Sequence, residues 1–173
     1  MATGLAMGAM LMAASAPALA QKVVKTTKGQ AGSPHETVEW AIGGAKLTVV
    51  YGRPFVKGRA IEKVAPDGEA YRLGADEATT LTTDKNIMIG DLMVAPGSYT
   101  LFAIPTGKEW KLAISKQTGQ WGTAYDAKQD LGRTALKVEK AAKPNEQFTI
   151  SFEKDTFVAQ WGDTKLTAAF MVH

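Results

Sequence analysis

Arg72, Asp76 and Glu77 lie within the stretch Tyr71 to Asp84, Y-R-L-G-A-D-E-A-T-T-L-T-T-D. A guanidinium beside two adjacent carboxylates offers acid–base chemistry. Neighbouring carboxylates push their pKa values apart, so one can take a proton, and an Arg can stabilise developing negative charge. The same three groups also suit an ion-pair network that pins a loop to a sheet, with Glu77 accepting from Arg72, Arg53 or Arg59. Asp76 and Glu77 are expected to serve opposite sides of the chain, because successive side chains of an extended segment point to opposite faces. A second group is Arg53, Lys57 and Arg59 in G-R-P-F-V-K-G-R. Guanidinium forks suit carboxylate, sulfate or phosphate; a solvated basic loop partnered by Asp76 and Glu77 is the plainer reading. Trp121 and Tyr125, four apart, can stack on a sugar ring or another flat ligand, or can clip their own loop onto the fold.

Other chemistry is poorly supplied. There is no Cys, which removes thiol catalysis, disulfides and thiolate metal sites. His35 and His173 are the only histidines, and no His-x-His, Glu-x-x-His or calcium-loop spacing occurs. No metal ligand set and no cofactor are therefore expected. The G-x-S-x-G elbow is also absent. The net charge is only +3, with both signs interspersed and no basic cluster interleaved with aromatics. A nucleic-acid partner is not expected.

These residues need a scaffold and an address. The first twenty residues carry no charge and end in Ala18-Leu19-Ala20, a small-x-small pattern behind an apolar run of signal-peptide length. Gly, Ser and Pro17 interrupt that run, which argues against a membrane anchor. The expectation is a signal peptide over 1–20, a polar flexible leader over 21–33, and one domain over 34–173. The processed protein would be periplasmic or secreted, with no membrane span. About 150 residues remain after the signal peptide, enough for one core without staples.

Period-two alternation dominates the rest. Glu36 to Ile42 and Lys46 to Tyr51 flank Gly43-Gly44, a hairpin signal. Ile87 to Ile89 and Leu92 to Val94 flank Gly90-Asp91. Gly97 to Ile104 is apolar on both faces, as a central strand is. Trp110, Leu112 and Ile114 alternate with polar or small residues. Leu131 to Glu139 is expected to place Leu136 and Val138 inward, and Pro144-Asn145 to turn. Phe148, Ile150 and Phe152 follow, then Phe157 to Trp161, a turn at Gly162-Asp163, and Leu166 to Val172. Short helical turns fit Ile61 to Val64 and Tyr125 to Gln129. Thr79 to Thr83 reads as a strand, because β-branched side chains fit a pleated surface. The pattern predicts an all-β fold: a single antiparallel β-sandwich, or partly open barrel, of about nine or ten strands. Trp40, Trp110 and Trp161 fall on core positions.

Four segments in order, Y-G-R-P-F-V-K-G-R, Y-R-L-G-A-D-E-A-T-T-L-T-T-D, A-P-G-S-Y-T-L-F-A-I-P and W-G-T-A-Y-D, carry a resemblance. Through them the chain resembles an exported bacterial family, domain of unknown function 2911. The Arg-x-Gly-Ala-x-Glu-Ala-Thr core, Arg72 to Thr79, is its most specific part. The family pattern has Trp at the position of Tyr71 and Asn at that of Asp76. A Trp-Gly pair after the Gly-Arg is replaced here by Ile61-Glu62-Lys63. The resemblance implies fold and export and assigns no activity. Besides a purely structural sandwich that packs against partner proteins, two functions stay open. One is a non-enzymatic binding or interaction module of the cell envelope, taking a small anionic or carbohydrate ligand or an envelope protein through Arg53, Lys57, Arg59, Arg72, Asp76, Glu77, Trp121 and Tyr125. The other is a hydrolase-like enzyme with Glu77 or Asp76 as general base and Arg72 as electrostatic stabiliser.

Overall fold

A computed structural model describes residues 21–173; the expected signal peptide lies outside them. Ten strands form one antiparallel sheet: β1 (Gln21–Lys28), β2 (Pro34–Ile42), β3 (Ala45–Gly52), β4 (Thr80–Thr83), β5 (Ile87–Ile89), β6 (Leu92–Val94), β7 (Gly97–Thr106), β8 (Glu109–Ser115), β9 (Asp130–Glu153) and β10 (Thr156–Val172). Their order is β1-β2-β3-β4-β7-β8-β9-β10-β5-β6, and the sheet does not close into a barrel. Its two ends nevertheless share one core. Trp40 of β2 meets Phe152 of β9 at 5.1 Å between ring centroids, and Phe152 meets Phe170 of β10 at 4.7 Å. Strands so far apart in the sheet order touch only because the sheet folds over into two facing layers.

β9 makes the corner. Asp130 to Leu136 pairs with β8, and from Lys137 onward the partner is β10. The turn residues at Pro144-Asn145 and Gly162 do not reverse the chain, as their chemistry suggested. Asn145 sits opposite Gly162, between two shifts of register, so they form a bulged bend within two long strands. A bulge bends a strand without ending it, and Gly162 has the positive φ of 59° that such a kink asks for. Val138, expected inward, is exposed; it lies just past the last β8 pair, where β9 leaves that layer.

The alternation is otherwise realised. Phe148, Ile150 and Phe152 are 2, 0 and 0% exposed, and Trp40, Trp110 and Trp161 are buried. β7 is buried on both faces, with Leu101 and Ala103 in the main core and Phe102 and Ile104 in a smaller cluster with Ala78 and Ala113. Gln21–Lys28, expected to be part of a flexible leader, is instead an edge strand paired along β2. Every residue of it is exposed, so backbone pairing rather than burial holds it. Composition is silent about that kind of bond.

Candidate functional site

Three loops and one hairpin turn meet beside the end of β3, the start of β4 and the middle of β7. The loop from Tyr71 to Thr79 is fixed first. Tyr71 exchanges both backbone hydrogen bonds with Ala103, each 2.8 Å, and its ring packs edge-on to Phe148. Leu73 is fully buried with a positive φ of 48°. An αL conformation costs a non-Gly residue roughly 1–2 kcal/mol, and burial of the leucine side chain offsets it. The Thr79 hydroxyl closes the loop by donating to the Leu73 carbonyl at 2.6 Å.

Beside this loop runs the segment holding Trp121. The Ala78 amide donates to Gln120 and the Gly122 amide to Asp76, at 3.1 and 2.9 Å. This short ladder sets Trp121 opposite Glu77. Gly122 is required there: a Cβ would lie 2.1 Å from Cδ of Arg72. Arg72 passes through that gap, and its Nη1 donates to the Asp76 carbonyl at 2.9 Å.

The result is a cleft of about 730 Å³, within the usual size range of small-molecule sites. Phe55, Lys57, Arg59, Lys63, Arg72 and Trp121 line it, with Tyr71 and Asp76 in its wall. Phe55 and Trp121 are 38 and 39% exposed, open aromatic faces beside cations. Among the described residues, none of these four cations makes an ion pair. Arg59 is braced by the Val56 and Phe55 carbonyls and lies over the Trp161 ring at 5.2 Å. Among the described residues, the Tyr71 hydroxyl is buried without a hydrogen-bond partner. Burial pushes its pKa far above the ordinary tyrosine value, against a smaller downward pull from Arg72, the Gly74 backbone and Arg59. It stays a neutral donor beside a positive cleft.

Asp76 is 3% exposed, with a positive φ of 63°. Its carboxylate is satisfied: Oδ2 lies 2.9 Å from His35 Nε2, and Oδ1 accepts from the Ala31 amide at 3.3 Å. The β1–β2 turn is thereby tied down over it. Gly29 of that turn has no room for a side chain, since a Cβ would lie 2.2 Å from Asp76 Oδ2.

Five of the eight residues singled out in the sequence, Lys57, Arg59, Arg72, Asp76 and Trp121, line this cleft. Arg53 does not. Its guanidinium donates to Glu36 at 2.7 Å, to the Phe148 carbonyl at 2.9 Å and to Thr149 at 3.0 Å. Glu77 lines a separate cavity with His35, yet the two carboxylates do not part as alternation predicted: Asp76 has a positive φ of 63° rather than an extended backbone, and both acids approach the one His35 ring. The expected pairing of Glu77 with Arg72, Arg53 or Arg59 is not formed: Arg72 takes a backbone carbonyl and Arg53 takes Glu36. Tyr125 is apart from Trp121; it packs on Phe102 at 4.7 Å and its hydroxyl donates to Asp130 at 2.6 Å. The two aromatics therefore make no common platform. The sequence reading missed Phe55, Lys63, Tyr71 and His35. The Lys63 charge was visible, but His35 joins Asp76 across a separation that no motif spans. A shallower groove of about 800 Å³ crosses β8, β9 and β10 beside Trp110. None of the buried atoms left without a partner belongs to a residue lining it.

A protein-family model, described as a protein of unknown function (DUF2911), matches residues 33–170. No curated protein and no solved structure matches the chain.

Proposed function

This chain belongs to the family of unknown function DUF2911, and we propose that it is a non-enzymatic binding module of the cell envelope whose Arg72 cleft takes a small anionic ligand. The observation that carries the reading is the set of cations without carboxylate partners, gathered beside exposed aromatic faces over an unpartnered Tyr71 hydroxyl. Arg and Lys recognise phosphate, sulfate or carboxylate groups. Trp121 and Phe55 supply flat apolar area for the rest of the ligand, a sugar ring included. The uncharged first twenty residues support export, with the site then working in the periplasm or outside the cell. The hydrolase-like alternative lacks a free carboxylate beside Arg72. Arg72 and Glu77 line different cavities, and the Asp76 carboxylate is buried against His35 and Ala31.

The test is a thermal-shift series with inorganic phosphate, sulfate, a hexose phosphate, a uronic acid and neutral sugars. A ligand at a hundredfold excess over its dissociation constant stabilises by about 2.7 kcal/mol. At least one anion is expected to raise the melting temperature. Arg72→Met and Trp121→Ala should abolish the shift, while Tyr125→Phe keeps it. A shift that survives Arg72→Met, or none with any anion, removes the reading.

A further inference from the structure

We propose that His35 and Glu77, with Asp76 behind them, form a site for a borderline divalent transition-metal ion such as Zn²⁺. One ligand atom from each of the three lies within 4.8 Å of the others. Their arrangement decides which roles they can take. Asp76 Oδ2 is 2.9 Å from His35 Nε2, and a carboxylate can only accept, so this hydrogen-bond pattern puts the proton of neutral imidazole on Nε2. Nδ1 then presents its lone pair. What it faces is Glu77 Oε2, at 3.7 Å, an oxygen that accepts from no donor of its own among the described residues.

Two lone-pair atoms this close repel unless a proton or a cation lies between them. The spacing fits a cation. Metal–nitrogen and metal–oxygen bonds of about 2.1 Å span that gap at roughly 120°, somewhat wider than tetrahedral, and Glu77 is half exposed and free to close it. Asp76 then acts as a positioning residue: a carboxylate on the far ring nitrogen of a ligating His fixes its tautomer and raises its basicity. Asp76 is itself held by Ala31 and buried to 3%, so the imidazole is locked before any ion arrives. The ion would lie in a cavity of about 350 Å³, where Thr27, Thr37 and Thr80 leave room for water as the remaining ligands. Glu36 in the same wall is committed to Arg53, and Lys25 stands on the exposed edge strand. An imidazole nitrogen with one carboxylate oxygen favours zinc, copper or nickel over magnesium.

This cavity and the Arg72 cleft have no lining residue in common, so its test is separate from the anion series. The untagged purified protein is titrated calorimetrically with Zn²⁺, and with Mg²⁺ for comparison. One Zn²⁺ per chain is expected, with no Mg²⁺ binding. His35→Gln and Glu77→Gln should each weaken Zn²⁺ about tenfold or more, and His173→Gln should leave it unchanged. ¹⁵N spectra should show the proton on His35 Nε2 and a shift of Nδ1 when Zn²⁺ is added. If His35→Gln fails to fold, Glu77→Gln decides, since Glu77 is half exposed. Zn²⁺ affinity unchanged in Glu77→Gln, dependent on His173, or absent from the wild type would overturn the proposal, as would a proton on Nδ1.

Discussion

Arg53 commits its whole guanidinium to the fold: Glu36 at one end, the Phe148 carbonyl and Thr149 at the other. Both members of the ion pair are largely buried, at 18 and 14% side-chain exposure. Removing one partner of such a pair strands the other charge, at a cost of about 3–5 kcal/mol. Arg53→Met is therefore expected to lower stability by that order in urea unfolding, and Arg53→Met with Glu36→Gln to recover part of the loss. Glu77, the residue that the sequence suggested for this part, is half exposed and pairs with no Lys or Arg among the described residues; its oxygen lies 3.7 Å from the His35 ring. Glu77→Gln should fall within about 0.5 kcal/mol of the wild type. If the Arg53 and Glu77 variants exchange these outcomes, the ion-pair assignment is wrong.

At the scale of elements, the cleft depends on backbone segments approaching more closely than side chains permit. The Trp121 segment is laid against the Arg72 loop by two hydrogen bonds, and Gly122 makes the gap through which Arg72 passes. Gly122→Ala would put a Cβ 2.7 Å from the Asp76 carbonyl oxygen as well as on Arg72. One of these atoms must move. The expected outcome is a protein that keeps its β-sheet circular dichroism, melts lower, and loses the anion-induced shift because Arg72 is displaced. An unchanged anion response in Gly122→Ala would mean that the ladder does not set the cleft. The β1–β2 turn acts similarly on the other side, since its Ala31 amide and its bare Gly29 allow Asp76 and His35 to meet beneath it.

For the whole molecule, alkali is the informative stress. Burial holds the Tyr51 phenol above its ordinary value and raises Tyr71 further. Tyr125 is pushed up to about 12 by burial and then by its bond to Asp130. A phenol with a raised folded pKa contributes stability that is fully present below the unfolded value near 10 and is lost as pH climbs toward the folded value. Urea midpoints should hold up to about pH 10 and fall between about 10 and 12, less steeply in Tyr125→Phe. A midpoint that is flat across this window would contradict the burial of these hydroxyls. The address of the protein is checked separately: mass spectrometry of the exported form should find Gln21 as its first residue. Because Gln21 also begins β1 and pairs with Trp40 of β2, processing there would leave the edge strand whole.

The sequence by itself determined an all-β antiparallel fold, most of the strands and the inward faces of Phe148, Ile150 and Phe152. Alternation and turn chemistry act between residues a few bonds apart, so they are written locally. It also singled out Arg72, Asp76 and Trp121, which line one cleft, since charge and exposed aromatics in glycine-rich loops mark where a sheet meets solvent. Tertiary structure alone decided who pairs with whom. A carboxylate gains similarly from any nearby cation, so the choice of Glu36 for Arg53, and of His35 for Asp76, follows from which loops the sheet order brings together. The same holds for Pro144 and Gly162. Their backbone preferences permit a chain reversal or a bulge, and the two facing layers, which need long strands bent across a corner, select the bulge.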